Sequence, residues 1–228
     1  MYNSIGFSAV MLPHKQERKI IMDFTAIDFE TATPKPTSIC SMGICVVENN
    51  EVVVRRGIYI RPTPLEFNDY NIKIHGITPD MVKGMPTLAE CWDIIKPYLE
   101  GRTIVAHNAM FDVGALCATL DSYGIEYPAF DYVCTVKLSQ QAYPELASHK
   151  LNMLCDALGI SFNHHQAYDD AYACAEVLIN ILEDCQLDSV DELENFFDMD
   201  RGVVYPGCKL SFKKKKKKSK SVKRSSKK

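Results

Sequence analysis

Phe24-Thr25-Ala26-Ile27-Asp28-Phe29-Glu30 decides how the rest of the chain reads. Its first residues form an apolar, β-branched run of strand length, which predicts a buried strand. The run ends in two carboxylates separated by one residue. Working outward, Ser38 to Val47 and Glu51 to Ile60 are rich in Ile and Val and are separated by Asn49-Asn50, a hairpin signal. A Pro-containing irregular stretch follows, through Ile74-His75-Gly76-Ile77-Thr78. Thr87 then opens a helix. Glu90 completes a capping box, and Leu88, Cys91, Ile95 and Tyr98 form one apolar stripe, with Pro97 bending or shortening the last turn. Thr103 to Ala106 is a short strand. Val113, Leu116, Cys117 and Leu120 mark a helix that Gly124 ends. Phe130 to Cys134 is strand-like, Leu151 to Leu158 is a helix closed by Gly159, and a last helix runs from about Asp170 to Asp184. A hairpin followed by helix-separated strands is a mixed α/β pattern, with helices covering a mixed sheet.

The chain of 228 residues, 46% hydrophobic and 24% charged, suits one globular domain with short appendages. Residues 1–21 read as an extension before the domain, with Met22 a candidate natural start. The apolar patch Ile5 to Leu12 has no basic residue before it and no cleavage site after it, so it is not a signal peptide. No apolar run approaches membrane-spanning length. Nine scattered cysteines without a Cys-x-x-Cys pair read as small buried hydrophobes in a reducing cytoplasm. Residues 209–228 hold twelve of the 26 Lys and Arg and no acid; residues 1–208 therefore carry 14 basic against 29 acidic side chains, a net of −15. The lysine-rich tail is low complexity and expected to be disordered.

Asp28 and Glu30 share one face of their strand, roughly 6.6 Å apart along the backbone. Burying two like charges is costly unless a cation lies between them, and hard divalent ions prefer oxygen ligands. A second segment, His107-Asn108-Ala109-Met110-Phe111-Asp112, runs from a strand end into a helix, where α/β sheets bind ligands. Asp112 falls in the first helical turn, where an acid also suits the helix dipole. The third is His165-Gln166-Ala167-Tyr168-Asp169-Asp170. Taken singly, Asp169 reads as a helix N-cap and His164 as a surface loop residue.

The set Asp28-x-Glu30, Asp112 and His165-x4-Asp170 resembles the DEDD exonucleases, in the branch of the DNA polymerase III epsilon subunit. The segments Ala26 to Thr31, Ile74 to Thr78, Ala106 to Asp112 and His165 to Ala171 match in order, and the resemblance covers about residues 22–185. The sister branch has a Tyr four residues before the last Asp. That position is Gln166 here, while His165 lies five before, as in the histidine branch. The resemblance implies a ribonuclease H-like mixed sheet of about five strands, and an exonuclease domain over 22–185 followed by a C-terminal segment over 186–208.

It further implies two divalent cations, Mg²⁺ with Mn²⁺ a substitute, held by Asp28, Glu30, Asp112 and Asp170, with His165 as general base. Thr31, Ile74, His75 and Phe111 are expected to line the pocket for the terminal nucleotide, and Asn108 to hold the strand-to-helix turn. Phe29, opposite the acids, belongs to the core. The expected activity is 3′→5′ hydrolysis at nucleic-acid 3′ ends, on DNA in a proofreading or repair role. A DNA polymerase is a possible partner. RNA trimming on the same fold is the alternative, and an inactive interaction module the remote one. An acidic body needs help to bind a polyanion; metals at the carboxylates and the lysine tail are two sources.

Overall fold

In a computed structural model describing residues 22–210 and the strand backbone at 213–214, β1 (Phe24–Thr31) pairs along its whole length with β2 (Ile39–Glu48). β2 pairs in turn with β3 (Glu51–Tyr59). The hairpin closes at Asn49 and Asn50, whose φ values of 50° and 71° suit a tight two-residue turn that follows strand twist. The N-terminal extension and most of the lysine tail lie outside the described residues.

The stretch after β3 is less irregular than its prolines suggest. Asn68 accepts from the Tyr70 N–H and caps α1 (Asp69–His75), which ends on Gly76 in the left-handed conformation. One turn, α2 (Pro79–Val82), follows. The Thr87–Glu90 capping box does form: Thr87 N–H donates to Glu90 Oε2 (2.7 Å) and Glu90 N–H to Thr87 Oγ1 (3.3 Å). Yet the expected long helix breaks into turns, the single turn α3 (Trp92–Ile95) and a 3₁₀ turn at Lys96–Tyr98. Pro97 lacks the N–H that a continuing helix needs.

β4 (Thr103–Ala106), α4 (Ala109–Tyr123), β5 (Phe130–Cys134), α6 (Leu151–Leu158) and α7 (Ala167–Asp184) occur where the apolar spacing puts them. Gly124 and Gly159 end α4 and α6 as left-handed caps. Between β5 and α6 lies α5 (Thr135–Ala142), whose polar sequence gave no stripe to read. α7 starts three residues before Asp170. Its N-cap is Gln166, so Asp169 lies inside the first turn and is not the cap.

After α8 (Leu193–Phe196) come β6 (Met199–Asp200), β7 (Gly202–Tyr205), β8 (Cys208–Leu210) and β9 (Lys213–Lys214). The main sheet runs β3-β2-β1-β4-β5-β7-β8, seven strands against an expected five, while β6 and β9 pair separately. β4 and β5 are parallel to β1, and the others are antiparallel to their neighbours. Residues 186–205 are joined to this sheet by Arg201. Its largely buried guanidinium bonds Thr103 Oγ1 and Asp131 on β4 and β5, and Val190 O and Asp191 on the segment before it.

Each face of the sheet buries its own core, and alternation along β1 assigns its side chains. Phe24 and Ala26 pack beneath α6 and α7, with Leu154, Leu178 and Ile181. Ile27 and Phe29 pack on the other face against Leu88, Ile95, Val113 and Leu116. Phe29 is thus a core residue, as its position opposite the acids requires. Asp28 and Glu30 continue the Phe24–Ala26 row, so they emerge on the α7 face where the helix begins. None of the eight cysteines with described side chains forms a disulfide, and seven of them are buried. Among the described residues no helix is long and apolar enough to cross a membrane.

Candidate active site

Three segments distant in sequence meet at the end of β1. Carboxylate oxygens of Asp28, Glu30 and Asp170 all lie within 4.8 Å of one another. Asp112, buried in the first turn of α4, is the fourth acid; its Oδ1 accepts the Phe29 N–H at 3.0 Å. Parallel pairing of β4 with β1 stops at Ala26–Val105, so the carboxylate takes a backbone donor that the ladder leaves free. Asn108, at φ 71° and ψ 47°, is the left-handed corner between β4 and α4 and makes no side-chain cap. The corner turns the chain so that Asp112 faces β1.

Gly43 brings the third segment close. It pairs with Asp28 across β1–β2, and a Cβ placed on it would stand 1.8 Å from the Ala167 carbonyl oxygen. The start of α7 therefore rests directly on the β2 backbone, and that contact brings Asp170 to Asp28. We expect Gly43→Ala to force the two apart. The Tm should fall by roughly 5 °C or more, as overpacking of a rigid contact costs on the order of 1–3 kcal/mol, and kcat/KM should drop at least about tenfold through misplacement. Gly57→Ala is the control, because its Cβ meets only the Tyr168 side chain at 3.3 Å. Equal behaviour of the two variants in melting and turnover would refute this account of Gly43.

The cluster's electrostatics are those of acids crowded without a counter-charge. Burial, then repulsion from Asp112, Asp170 and Glu30, holds Asp28 well above the usual carboxylate range. Burial and the neighbouring Asp170 and Asp112 push Glu30 up to about 8. Asp112 rises to about 7 by burial, tempered by its backbone hydrogen bonds. Burial also raises Asp170, although a contact from His164 Nδ1 to its Oδ1 (2.8 Å) and a backbone hydrogen bond from His165 act in the other direction. At an effective dielectric of ~20, each like-charge pair ~5 Å apart costs on the order of 3 kcal/mol. The other oxygen of Asp170, Oδ2, is buried and has no hydrogen-bond partner among the described residues. An orphaned acceptor amid all-oxygen donors fits a hard divalent cation.

His165 stands beside the acids in a turn at φ 67°, a conformation costing a non-glycine residue on the order of 1–3 kcal/mol. Its ring stacks on His164 at 3.8 Å between centroids. His164 is thereby more than a surface loop residue, since it holds both Asp170 and the His165 ring. Burial and the adjacent His164 lower the His165 pKa, with Asp170 opposing them. Asp169 points elsewhere. Arg55 of β3 and Asn163 bond its buried carboxylate, and their hydrogen bonds outweigh burial and hold it below the usual range. Arg55 also lies over the Tyr172 ring at 4.1 Å.

A cleft of about 630 Å³ opens over the cluster, lined by Asp28, Glu30, Asp170, His164 and His165. Ile74 and Phe111, 37% and 47% exposed, also line it. Thr31 and His75 do not: both are buried, with the His75 ring between the Thr31 carbonyl (3.3 Å) and the Ile77 N–H (3.0 Å). Burial lowers the His75 pKa, so its ring is a neutral strut. His107, quoted in the second segment without a role, also lines the cleft, and so do Gln140, His149, Lys150 and Asn152, which sequence reading missed. The only hint for the latter was the polar run Ser148-His149-Lys150 immediately before an expected helix. His107 bonds Thr135 Oγ1 at 2.9 Å, and burial drives its pKa down to about 4.

Four acids and a histidine, carried by β1, α4 and the start of α7 at one end of a mixed sheet, define the DEDD class of phosphodiester hydrolases, in its histidine branch. The chain belongs to the exonuclease family: the RNase T-type exonuclease family model matches residues 25–178. Among curated proteins it is similar to the PolC-type DNA polymerase III of Clostridium perfringens, 34% identical over 164 residues. That match covers 68% of this chain and 11% of the polymerase. The PolC-type enzyme of Caldanaerobacter subterraneus is 28% identical over 197 residues, 83% of this chain and 14% of that one. The chain thus spans only a small part of the length of these relatives. Two solved structures share the fold. One is exonuclease X in complex with 5′ overhanging duplex DNA (TM-score 0.62, 23% identity, 76% of this chain and 98% of that one). The other is the nuclease domain of 3′hExo, a DEDDh family member, bound to rAMP (TM-score 0.61, 15% identity, 88% and 99%).

Proposed function

We propose that this chain is a 3′→5′ exonuclease that releases nucleoside monophosphates from the 3′ ends of DNA, with Asp28, Glu30, Asp112, His165 and Asp170 as its catalytic residues. The observation that carries this reading is the convergence of Asp28, Glu30 and Asp170 within 4.8 Å at the floor of one cleft, with Asp112 against the Phe29 N–H and His165 at the edge. Asp28, Glu30 and Asp170 would hold one Mg²⁺ or Mn²⁺, and Asp28 with Asp112 a second. When bound, such a pair of ions stabilises the charge of the phosphoryl centre and lowers the pKa of an attacking water. The chain's own residues do the rest. His165, whose pKa burial and the adjacent His164 lower while Asp170 opposes them, accepts the water's proton at a ring nitrogen. Phe111 and Ile74 offer exposed apolar surface to the terminal sugar and base. Thr31 and His75 shape that pocket from behind.

The PolC-type relatives carry the matching segment within a polymerase, which supports DNA as substrate and a DNA polymerase as partner. Buried thiols that form no disulfide among the described residues support a cytoplasmic location. The exonuclease unit is assigned to residues 22–185, with 186–208 as a C-terminal segment joined to its sheet. The test is digestion of 5′-labelled single-stranded DNA, 3′-recessed duplex and short RNA with Mg²⁺, Mn²⁺ or chelator. We expect label-bearing fragments that shorten one nucleotide at a time, mononucleotide products, no reaction in chelator, and faster turnover of DNA than RNA. Internal cuts, or cleavage that survives chelation, would refute the exonuclease; preference for RNA would overturn the DNA assignment alone.

A further inference from the structure

The cleft raises an electrostatic problem that its carboxylates do not solve. Residues 1–208 carry a net charge of −15, and a single strand entering the cleft brings a phosphate with each nucleotide. Cations at the acids would compensate only the phosphate being cut. Among the residues lining the cleft there is one Lys or Arg, Lys150. It is exposed, stands immediately before α6, and joins none of the ion pairs among the described residues. The exposed lysines and arginines in those pairs answer local acids; Lys150 has its charge free for a ligand. Gln140, Ser148, His149 and Asn152 belong to the same lining, each with a polar group that can donate to phosphate oxygens. His149 is anchored through Nδ1 on Ser139 Oγ at 3.1 Å, which leaves Nε2 as its other polar atom.

We infer that Lys150, with His149 and Asn152 beside it, is a binding site for the backbone phosphates that precede the terminal nucleotide. This rests on the exonuclease reading and deepens it. Lysine contacts a phosphate as a point charge and reads no base, so the site is indifferent to sequence and fixes the strand rather than the reacting atoms. A substrate with one nucleotide does not reach it. A substrate of several does.

That difference supplies the test. Steady-state kinetics are measured for the full chain and for Lys150→Gln and Lys150→Glu on two substrates. One is the p-nitrophenyl ester of thymidine 5′-monophosphate, which has a single phosphate; the other is an eight-residue oligothymidylate. We expect Lys150→Glu to raise the KM for the oligonucleotide at least tenfold more than the KM for the ester, with Lys150→Gln in between and kcat moving little. The dependence of log KM on log salt should flatten by roughly 0.7 for one lost single-strand phosphate contact. An unchanged oligonucleotide KM in Lys150→Glu, or equal losses on both substrates, overturns the site. If the unaltered chain cleaves neither substrate with Mg²⁺ or Mn²⁺, the exonuclease reading itself falls and takes this inference with it.

Discussion

Asp28→Asn should lose on the order of 10³-fold or more in kcat/KM, and should at the same time make the metal-free protein more stable. Both effects have one cause. Asp28 lies among Glu30, Asp112 and Asp170, and burial and then their charges hold it well above the usual carboxylate range. An amide of the same shape removes one set of repulsions, each worth on the order of 3 kcal/mol at ~5 Å, and removes the oxygen ligand shared by both proposed ions. The pH dependence has a definite sign. Glu30 titrates near 8 and Asp112 near 7 in the fold, against 4.5 and 3.8 as ordinary side chains. Between those limits the folded chain holds protons that the unfolded chain has released. At lower pH three histidines act in the opposite direction: burial depresses His75, His107 and His165, so each adds stability as pH rises toward 6.5. Above about 6.5 those rings are neutral in both states, and stability decreases as pH rises to about 8. In chelator the Tm should fall across this window, Asp28→Asn should flatten the fall, and Mg²⁺ should reverse it for the unaltered chain. A Tm in chelator that is level from pH 6.5 to 8, or near-normal turnover in Asp28→Asn, would refute the assignment.

The stretch Phe24 to Glu30 shows why so much of this site is legible from sequence. Period-2 alternation sorts Ile27 and Phe29 to one core and leaves Asp28 and Glu30 on the opposite face, whatever the rest of the chain does. Asp112 and Asp170 are visible because each lies in the first turn of a helix that follows a strand or loop, where α/β sheets place ligands. The remainder depends on distances that no local pattern encodes. Gly43 reads as an ordinary strand glycine, and only the Ala167 carbonyl above it gives it a purpose. Arg55 lies in a strand of mixed polarity, and its partner Asp169 is 114 residues away. α5 went unread because Thr135 to Ala142 buries only three residues against neighbours that sequence does not reveal. The helix expected from Thr87 failed for a local reason: its capping box is real, but Pro97, with no N–H to donate, ends it in a chain of single turns. Cleft walls such as Lys150 and Asn152 are polar residues in polar surroundings, distinguished only by what faces them.

His165→Ala should lower kcat by about 10²- to 10⁴-fold, the usual range for a lost general base, with KM for the ester of thymidine 5′-monophosphate changing little. The choice of His165 over His164 makes the sharper demand. The two rings stack, and both line the cleft, but their bonds differ. His164 Nδ1 is engaged with Asp170 Oδ1, so this residue acts through the carboxylate that it orients. His165 reaches Asp170 through its backbone and keeps its ring for the cleft. His164→Ala should accordingly cost about tenfold, weaken the response to Mg²⁺ by loosening Asp170, and leave the shape of the pH profile intact. His165→Ala should instead abolish the acid limb of the profile. That limb must lie below pH 6.5, since burial and the neighbouring His164 both disfavour the charged ring, and cations bound nearby would push it lower still. If His164→Ala loses more in kcat than His165→Ala and also removes the limb, the proton acceptor is His164. The left-handed turn at His165 would then serve only to present its neighbour.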